Sequence, residues 1–257
     1  MSLNFCFIGA GNLATHLSKA LKKNGYNISQ IYSRTEKSAK KLADILSANF
    51  VTSVSDINKD ADIYFVALKD SAVHEVLSQI NFNNKLVVHC SGSLPLSALE
   101  NYSENIGVFY PLQTFSKNRA VEFNEIPIFI ESNSLKNEEI LLQLAHDISN
   151  SATVLNSDKR RMLHISAVFA CNFVNHFYTI AAEILKSKDI SFDVLKPLIL
   201  ETAIKVQEIE PEKAQTGPAV RFDENIISAH LQGLKDFGDY QQLYMSVSKS
   251  IFELYKK

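Results

Sequence analysis

The sequence predicts an α/β chain, with a doubly wound, mostly parallel sheet over residues 1–156 and an all-α domain over residues 157–257. Three observations predict it. Through the first 155 residues or so, short runs rich in β-branched and aromatic residues alternate with amphipathic stretches of helical period, the pattern of βαβ units. Beyond Ser157 the alternation stops and only helical patterns remain. Between the first strand run and the first helical run stands Gly9-Ala10-Gly11-Asn12-Leu13-Ala14, with small residues at three fixed offsets.

In chain order, NFCFIG (4–9) is followed by amphipathic THLSKALKKNG (15–25), ISQIYS (28–33), amphipathic EKSAKKLADILS (36–47), NFVTS (49–53) and ADIYFVAL (61–68). KLVVHCS (85–91), NIGVFYPL (105–112), IPIFIE (126–131) and TVLN (153–156) read as further strands, with helical SLKNEEILLQLAHDIS (134–149) before the last. Near-continuous apolar strand runs predict a sheet covered on both faces. Three helical patterns follow, over 157–187, 191–209 and 224–256, the last broken near Phe237 to Asp239. In the first of them Phe169, Ala170, Phe173, Val174, Phe177, Ala181, Ile184 and Leu185 cover one broad face, to be buried in the domain core or in a subunit interface. His164, Cys171, Asn172, Asn175, His176 and Glu183 gather on the other side. EPEKAQTGPAVRFD (210–223) is the least structured stretch.

Composition narrows the function classes. The 257 residues are 46% hydrophobic and 21% charged with a net charge of −2, and Lys and Arg are scattered, so the footprint of a nucleic-acid binder is missing. No basic segment precedes an apolar one at the N-terminus, and no run nears the roughly 18 apolar residues of a membrane helix. The expectation is a cytoplasmic protein with a small-molecule substrate and no nucleic-acid or membrane partner. Cys6, Cys90 and Cys171 lie far apart without metal-ligand spacing, so they read as reduced, buried packing residues, and no metal site is expected.

The small-residue turn has a mechanical logic. Gly9 permits the tight turn, Gly11 removes a side chain that would collide with a diphosphate, and Ala14 lets the helix pack closely on the strand. Backbone N–H groups at the helix mouth, with Asn12 and Leu13 in the first turn, would receive the diphosphate. About 20 residues on, an acid ending the second strand would bind the ribose hydroxyls of NAD. Here the tip is Ser33-Arg34-Thr35, whose guanidinium fork and hydroxyls suit a phosphate dianion, so the expected cofactor is NADP. The plain alternative is a surface pair between Arg34 and Glu36.

Ligands of an open parallel sheet lie beyond the C-terminal strand ends. Ala67, Leu68 and Lys69 should run along the cofactor, with Asp70-Ser71 as a helix cap. Ser91 and Gly92 should shape the backbone near the nicotinamide, since Cys90-Ser91-Gly92 lacks the GxSxG elbow of a covalent nucleophile. Tyr110, Gln113 and Thr114 should face substrate.

GAGNLA, SRT, HCSGSLPLSAL, YPLQTF, KRRMLHISAVFACNF and TGPAVRFD followed by His230-Leu231 resemble, in this order and over nearly the whole chain, a family of two-domain bacterial proteins. These join a Rossmann-like NADP-binding domain to a helical domain of unassigned function and are labelled NADP-dependent oxidoreductases. The plan is also similar to pyrroline-5-carboxylate reductase and 6-phosphogluconate dehydrogenase, whose helical domains dimerise and close over the nicotinamide, which implies a homodimer. Two departures stand out. Tyr110 occupies a position where relatives carry His. The Lys-x-x-x-Asn of hydroxyacid dehydrogenases is absent, because Lys159 is followed four residues on by Leu163.

Hydride transfer to a C=O or C=N bond needs a proton donor at the heteroatom. Lys159, His164 and Asn172 are the catalytic candidates; their plain alternatives are a solvated first-turn charge, a packing histidine and a buried amide. Asn175 and His176 read as structural. Arg221 is the candidate fork for a substrate carboxylate, while Thr216 or Asp223 reads as a cap for the helix beginning near Glu224. The function expected is hydride transfer between NADP and a small, carboxylate-bearing carbonyl, imine or alcohol. The rivals are a non-catalytic NADP-binding sensor or scaffold, and a protein using flavin or deazaflavin instead.

Overall fold

The computed structural model describes residues 3–256. Eight strands form one sheet: β1 (Asn4–Ile8), β2 (Asn27–Tyr32), β3 (Asn49–Val51), β4 (Ile63–Val66), β5 (Leu86–His89), β6 (Ile106–Pro111), β7 (Ile128–Ser132) and β8 (Ala152–Val154). Their order is β3-β2-β1-β4-β5-β6-β7-β8. All neighbours are parallel except β6 and β7, which pair antiparallel with Tyr110 opposite Phe129 and Val108 opposite Glu131. The chain turns outward in both directions from β1 and β4, which makes their C-terminal ends the switch point of the sheet.

Strand β1 shows why the sheet is covered on both faces. Side chains alternate along a strand, and Phe5 and Phe7 enter one apolar core with Leu17, Phe65, Val88 and Leu141, while Cys6 and Ile8 enter another with Tyr64, Val66 and Val87. A strand with solvent on one side would carry polar residues at every second position. Helices α1 (Asn12–Lys23), α2 (Glu36–Leu46), α3 (Asp70–Leu77) and α4 (Leu135–Ile148) accompany these strands. Asp70 is the first residue of α3; Lys69 holds the cap position and no side chain bonds there, so the expected Asp70 cap is not formed. The carboxylate instead sits in the first turn, where the helix dipole favours it.

Helix α5 (Ser157–Ala167) runs into a π-helical turn, Val168–Phe173, and continues as α6 (Val174–Lys186). Residue contacts divide the chain into two compact units, 1–171 and 172–257, so α5 belongs with the sheet, one helix beyond the boundary expected at 156/157. The second unit contains α6, α7 (Lys196–Glu208), α8 (Pro211–Ala214), α9 (Pro218–Arg221), α10 (Glu224–Gly233) and α11 (Tyr240–Tyr255). The stretch 210–223 therefore holds two single-turn helices. Asp223 caps α10, its side chain accepting from Ile226 N–H at 3.3 Å, as expected of one of the two cap candidates; Thr216 does not cap.

The apolar face of the first C-terminal helix, expected in the domain core or in a subunit interface, is not in the core: Phe169, Phe173 and Phe177 are 65%, 45% and 41% exposed. A π turn, whose period exceeds 3.6 residues, falls within this face at Val168–Phe173. One expectation needs correction, that of Cys171. Cys171 lies in that turn and is exposed, unlike buried Cys6 and Cys90. Among the described residues one helix, Ser157–Lys186, is long and apolar enough to cross a membrane by length and composition only, with a mean hydropathy of 1.2 over its best window.

Candidate cofactor and active site

The C-terminal ends of β1, β2, β4 and β5 bring Gly9, Ser33, Ala67 and Cys90 into line: Gly9 N–H donates to Tyr32 C=O at 2.8 Å, Ala67 N–H to Ile8 C=O at 2.9 Å, and Cys90 N–H to Val66 C=O at 3.3 Å. The two glycines of the turn serve different ends. Gly9 has φ +123°, and a Cβ there would stand 2.3 Å from the Ala67 carbonyl oxygen, so the fold itself demands glycine. Gly11 is extended (φ −77°, ψ −169°) and a Cβ there would meet nothing within 4 Å. Nothing in the chain requires glycine at residue 11; an approaching ligand would. Gly11 is also the N-cap of α1, without any side-chain cap, so the first-turn N–H groups of Asn12 and Leu13 stay available to an anion. The Asn12 side chain is occupied otherwise, donating to Phe115 C=O at 2.8 Å.

Arg34 is exposed and forms neither an ion pair nor a hydrogen bond among the described residues, which removes the Arg34–Glu36 alternative. Its charge is felt by Tyr32, whose phenol is raised by burial, lowered by Arg34 and raised by Glu75. Thr35 is the N-cap residue of α2, and Ser33 N–H is used by Val51 C=O. A free guanidinium one strand over from an open glycine turn fits an NADP adenosine phosphate and diphosphate.

Further along the sheet edge the structure assembles a polar cluster. The Tyr110 hydroxyl lies 3.0 Å from His164 Nδ1, and the two rings meet edge to face at 6.0 Å. Gly92 packs against both, since a Cβ there would come within 2.6 Å of His164 Nδ1 and 2.8 Å of Tyr110 Cζ. Burial raises the Tyr110 phenol, and the Arg160 cation partly offsets this. Arg160 is 1% exposed and pairs with Glu131 through Nη1; its Nη2 donates to Leu94 C=O and, at 3.2 Å, to Ser157 Oγ. Glu131 also accepts Ser157 N–H and Oγ–H at 3.0 and 2.8 Å, and Ser157 Oγ accepts Leu96 N–H at 2.9 Å. Ser91 Oγ accepts from the N–H groups of Ser93 and Leu94 at 3.0 and 3.1 Å. His89, buried beneath, accepts Ser91 N–H at Nδ1; burial first, then Arg160, pushes its imidazole down to about 3. The Pro95 carbonyl works the other way, yet His89 Nε2 makes no bond of normal geometry, and neither does Arg160 Nε.

Of the remaining sequence candidates in the first unit, none bonds to this cluster. Lys159 is exposed, contributing only its backbone N–H to the Asn156 cap. Gln113 and Thr114 are exposed and bonded to each other. Ala67, Leu68 and Lys69 do follow β4, as placed. In the helical unit Asn172 is exposed in the π turn, Arg221 ends α9, and His230 Nδ1 lies 2.8 Å from the Tyr244 hydroxyl. Sequence reasoning missed Arg160, Glu131, Ser157 and His89. The available signal was spacing: Arg160 and His164 are one helical turn apart on one face. A hollow of about 600 Å³ lies elsewhere, beside the later turns of α1 and the end of α4.

Residues 4–92 match the model of a domain described as NADP oxidoreductase, coenzyme F420-dependent, and residues 126–251 match a domain of unknown function, DUF2520. A crystal structure from Bacteroides fragilis described as a "putative NADP oxidoreductase" is 48% identical, with 98% of each chain covered and a TM-score of 0.95. An imine reductase from Myxococcus stipitatus in complex with NADP+ is 16% identical (97% and 92% covered, TM-score 0.66). A 1-pyrroline-5-carboxylate reductase from Streptococcus pyogenes is 15% identical (99% and 98% covered, TM-score 0.64). At such identities the last two show a shared fold alone. No curated protein matches the chain. Near half identity over essentially the full length of both chains, with both domain models in the same order, means that this chain belongs to the family of two-domain NADP oxidoreductases that join an F420-dependent-type NADP oxidoreductase domain to DUF2520.

Proposed function

We propose that the chain reduces a small, carboxylate-bearing imine or carbonyl with NADPH, with Tyr110 delivering the proton and His164 holding and recharging the phenol. The observation that carries this reading is the 3.0 Å contact between the Tyr110 hydroxyl and His164 Nδ1, with Gly92 closed against both at the end of β5. Gly9, Gly11, Asn12 and Leu13 would hold the diphosphate, and Ser33, Arg34 and Thr35 the 2′-phosphate. Ala67, Leu68 and Lys69 would follow the cofactor toward Ser91 and Gly92. When bound, NADPH supplies a hydride. The chain must then provide one proton to the substrate nitrogen or oxygen, and a neutral phenol hydrogen-bonded to imidazole can do so and be reprotonated through the ring. Gln113, Thr114 and Arg221 are the polar residues read as gripping the substrate, Arg221 as a bidentate fork.

The exposed Phe173 and Phe177, with Leu198 and Leu200 at 62% and 61%, support a homodimer formed through the helical unit. Reduced Cys6 and Cys90 suit the cytoplasm. The test is single-turnover oxidation of bound NADPH against a panel of keto acids, cyclic imines and aldehydes. Turnover that survives in wild type and is lost in Tyr110→Phe supports the assignment; tight NADPH binding without turnover on any member makes the protein a sensor.

A further inference from the structure

Helix α5 and the β6–β7 pair carry two matched couples of side chains. On α5, Arg160 and His164 are four residues apart and share a face. On the sheet, Tyr110 stands opposite Phe129 and Val108 opposite Glu131, so Tyr110 and Glu131 are diagonal neighbours on one face. The helix spacing of about 6 Å for four residues meets the strand spacing of about 7 Å for two. Each helical residue therefore finds its own partner: His164 with Tyr110, Arg160 with Glu131. The ion pair is the buried one, and through Ser157 Oγ and the Leu94 carbonyl it also ties down the 91–96 segment that carries Gly92.

We propose that the Arg160–Glu131 pair is the positioning element of the Tyr110–His164 couple, setting α5 in register on the β6–β7 face and fixing the field in which the phenol releases its proton. This deepens the functional reading above and rests on it. Arg160 and Glu131 touch no reacting atom; they act through their neighbours. The charged and titratable groups around the phenol are Arg160 and His164 on α5 and Glu131 on β7, with His89 below the 91–96 segment held neutral by burial and by Arg160. Arg160 is the group that favours the phenolate, against burial, which opposes it. A buried cation without Glu131 would favour it more, and Glu131 without the cation would oppose it.

The test is a titration of the tyrosines by NMR in protein carrying ring-labelled tyrosine, with the Tyr110 signal identified by its loss in Tyr110→Phe. In Arg160→Met the Tyr110 titration should move up, or out of the range in which the protein stays folded. In Glu131→Gln it should move down, and Arg160→Lys should restore a value near wild type. Mere loosening of the structure would expose the phenol and move Tyr110 down in every variant, so the opposite signs separate positioning from packing. A folded Arg160→Met with Tyr110 unmoved or lowered overturns the proposal; should Arg160→Met not fold, a Glu131→Gln protein in which Tyr110 does not fall overturns it as well. NADPH binding by the wild type is measured separately, and its absence would sink the functional reading while leaving this result standing.

Discussion

Replacing the two glycines of the first turn by alanine, one at a time, separates what the fold needs from what the ligand needs. At Gly9 the new Cβ would lie 2.3 Å from the Ala67 oxygen and 2.8 Å from its carbon, on a backbone with φ +123°. Left-handed strain costs about 1–3 kcal/mol, and forced overpacking about 1–3 kcal/mol more. Gly9→Ala should therefore lose on the order of 4 kcal/mol, roughly 10 °C in melting temperature for a domain of this size. At Gly11 the backbone is already in a region alanine favours and no atom lies within 4 Å, so stability should change by less than about 1 kcal/mol. The cost there falls on the nucleotide. Displacing the diphosphate by one methyl group forfeits about one charge-assisted backbone bond, about 1.5–3 kcal/mol, or roughly 10- to 100-fold in Kd. Thermal denaturation and calorimetry with NADPH on both variants measure the two effects. A Gly11→Ala protein that binds NADPH as tightly as wild type would refute the assignment of the α1 mouth as the diphosphate site.

Arg34→Ala should weaken NADPH about tenfold or more, the worth of a charged hydrogen bond, and NADH hardly at all; fluorescence titration with both nucleotides checks it, and equal losses would remove the 2′-phosphate assignment. Tyr110→Phe should lower turnover about 10²- to 10⁴-fold with NADPH affinity unchanged, as read by single-turnover absorbance. His89 is neutral when folded down to about pH 3 but titrates near its ordinary value of 6.5 when unfolded, so the unfolded chain takes up more protons in between. Stability should thus fall as pH drops through that window, by about 2 kcal/mol between pH 7 and 5 from this residue; denaturant melts of His89→Gln should show a shallower loss. Phe169→Glu should halve the mass seen by light scattering, whereas a wild-type protein that floats with lipid vesicles would assign the apolar helix face to a membrane instead.

Much of the fold was written locally. Period-two and period-3.6 patterns, the glycine turn and the Asp223 cap depend on residues close in sequence, and the strands, the parallel core of the sheet and the three C-terminal helical stretches stand where those signals put them. The cofactor turn was legible for the same reason, because Gly9, Gly11 and Ala14 act within a few residues of one another. The π turn was not, since a one-residue insertion in helical pairing leaves little trace in an apolar stretch, and Cys171, expected to be buried, lies exposed within it.

The sequence by itself therefore determined the α/β sheet, the all-helical second part and the open glycine turn at the mouth of α1. Tertiary structure alone decided which polar residues meet: Arg160, rather than its exposed neighbour Lys159, is sealed against Glu131, and His164 is laid on Tyr110 across 54 positions of chain. Local patterns specify which face a side chain occupies. Only the register between α5 and the β6–β7 pair, a packing decision made over long sequence separations, specifies which partner that face finds.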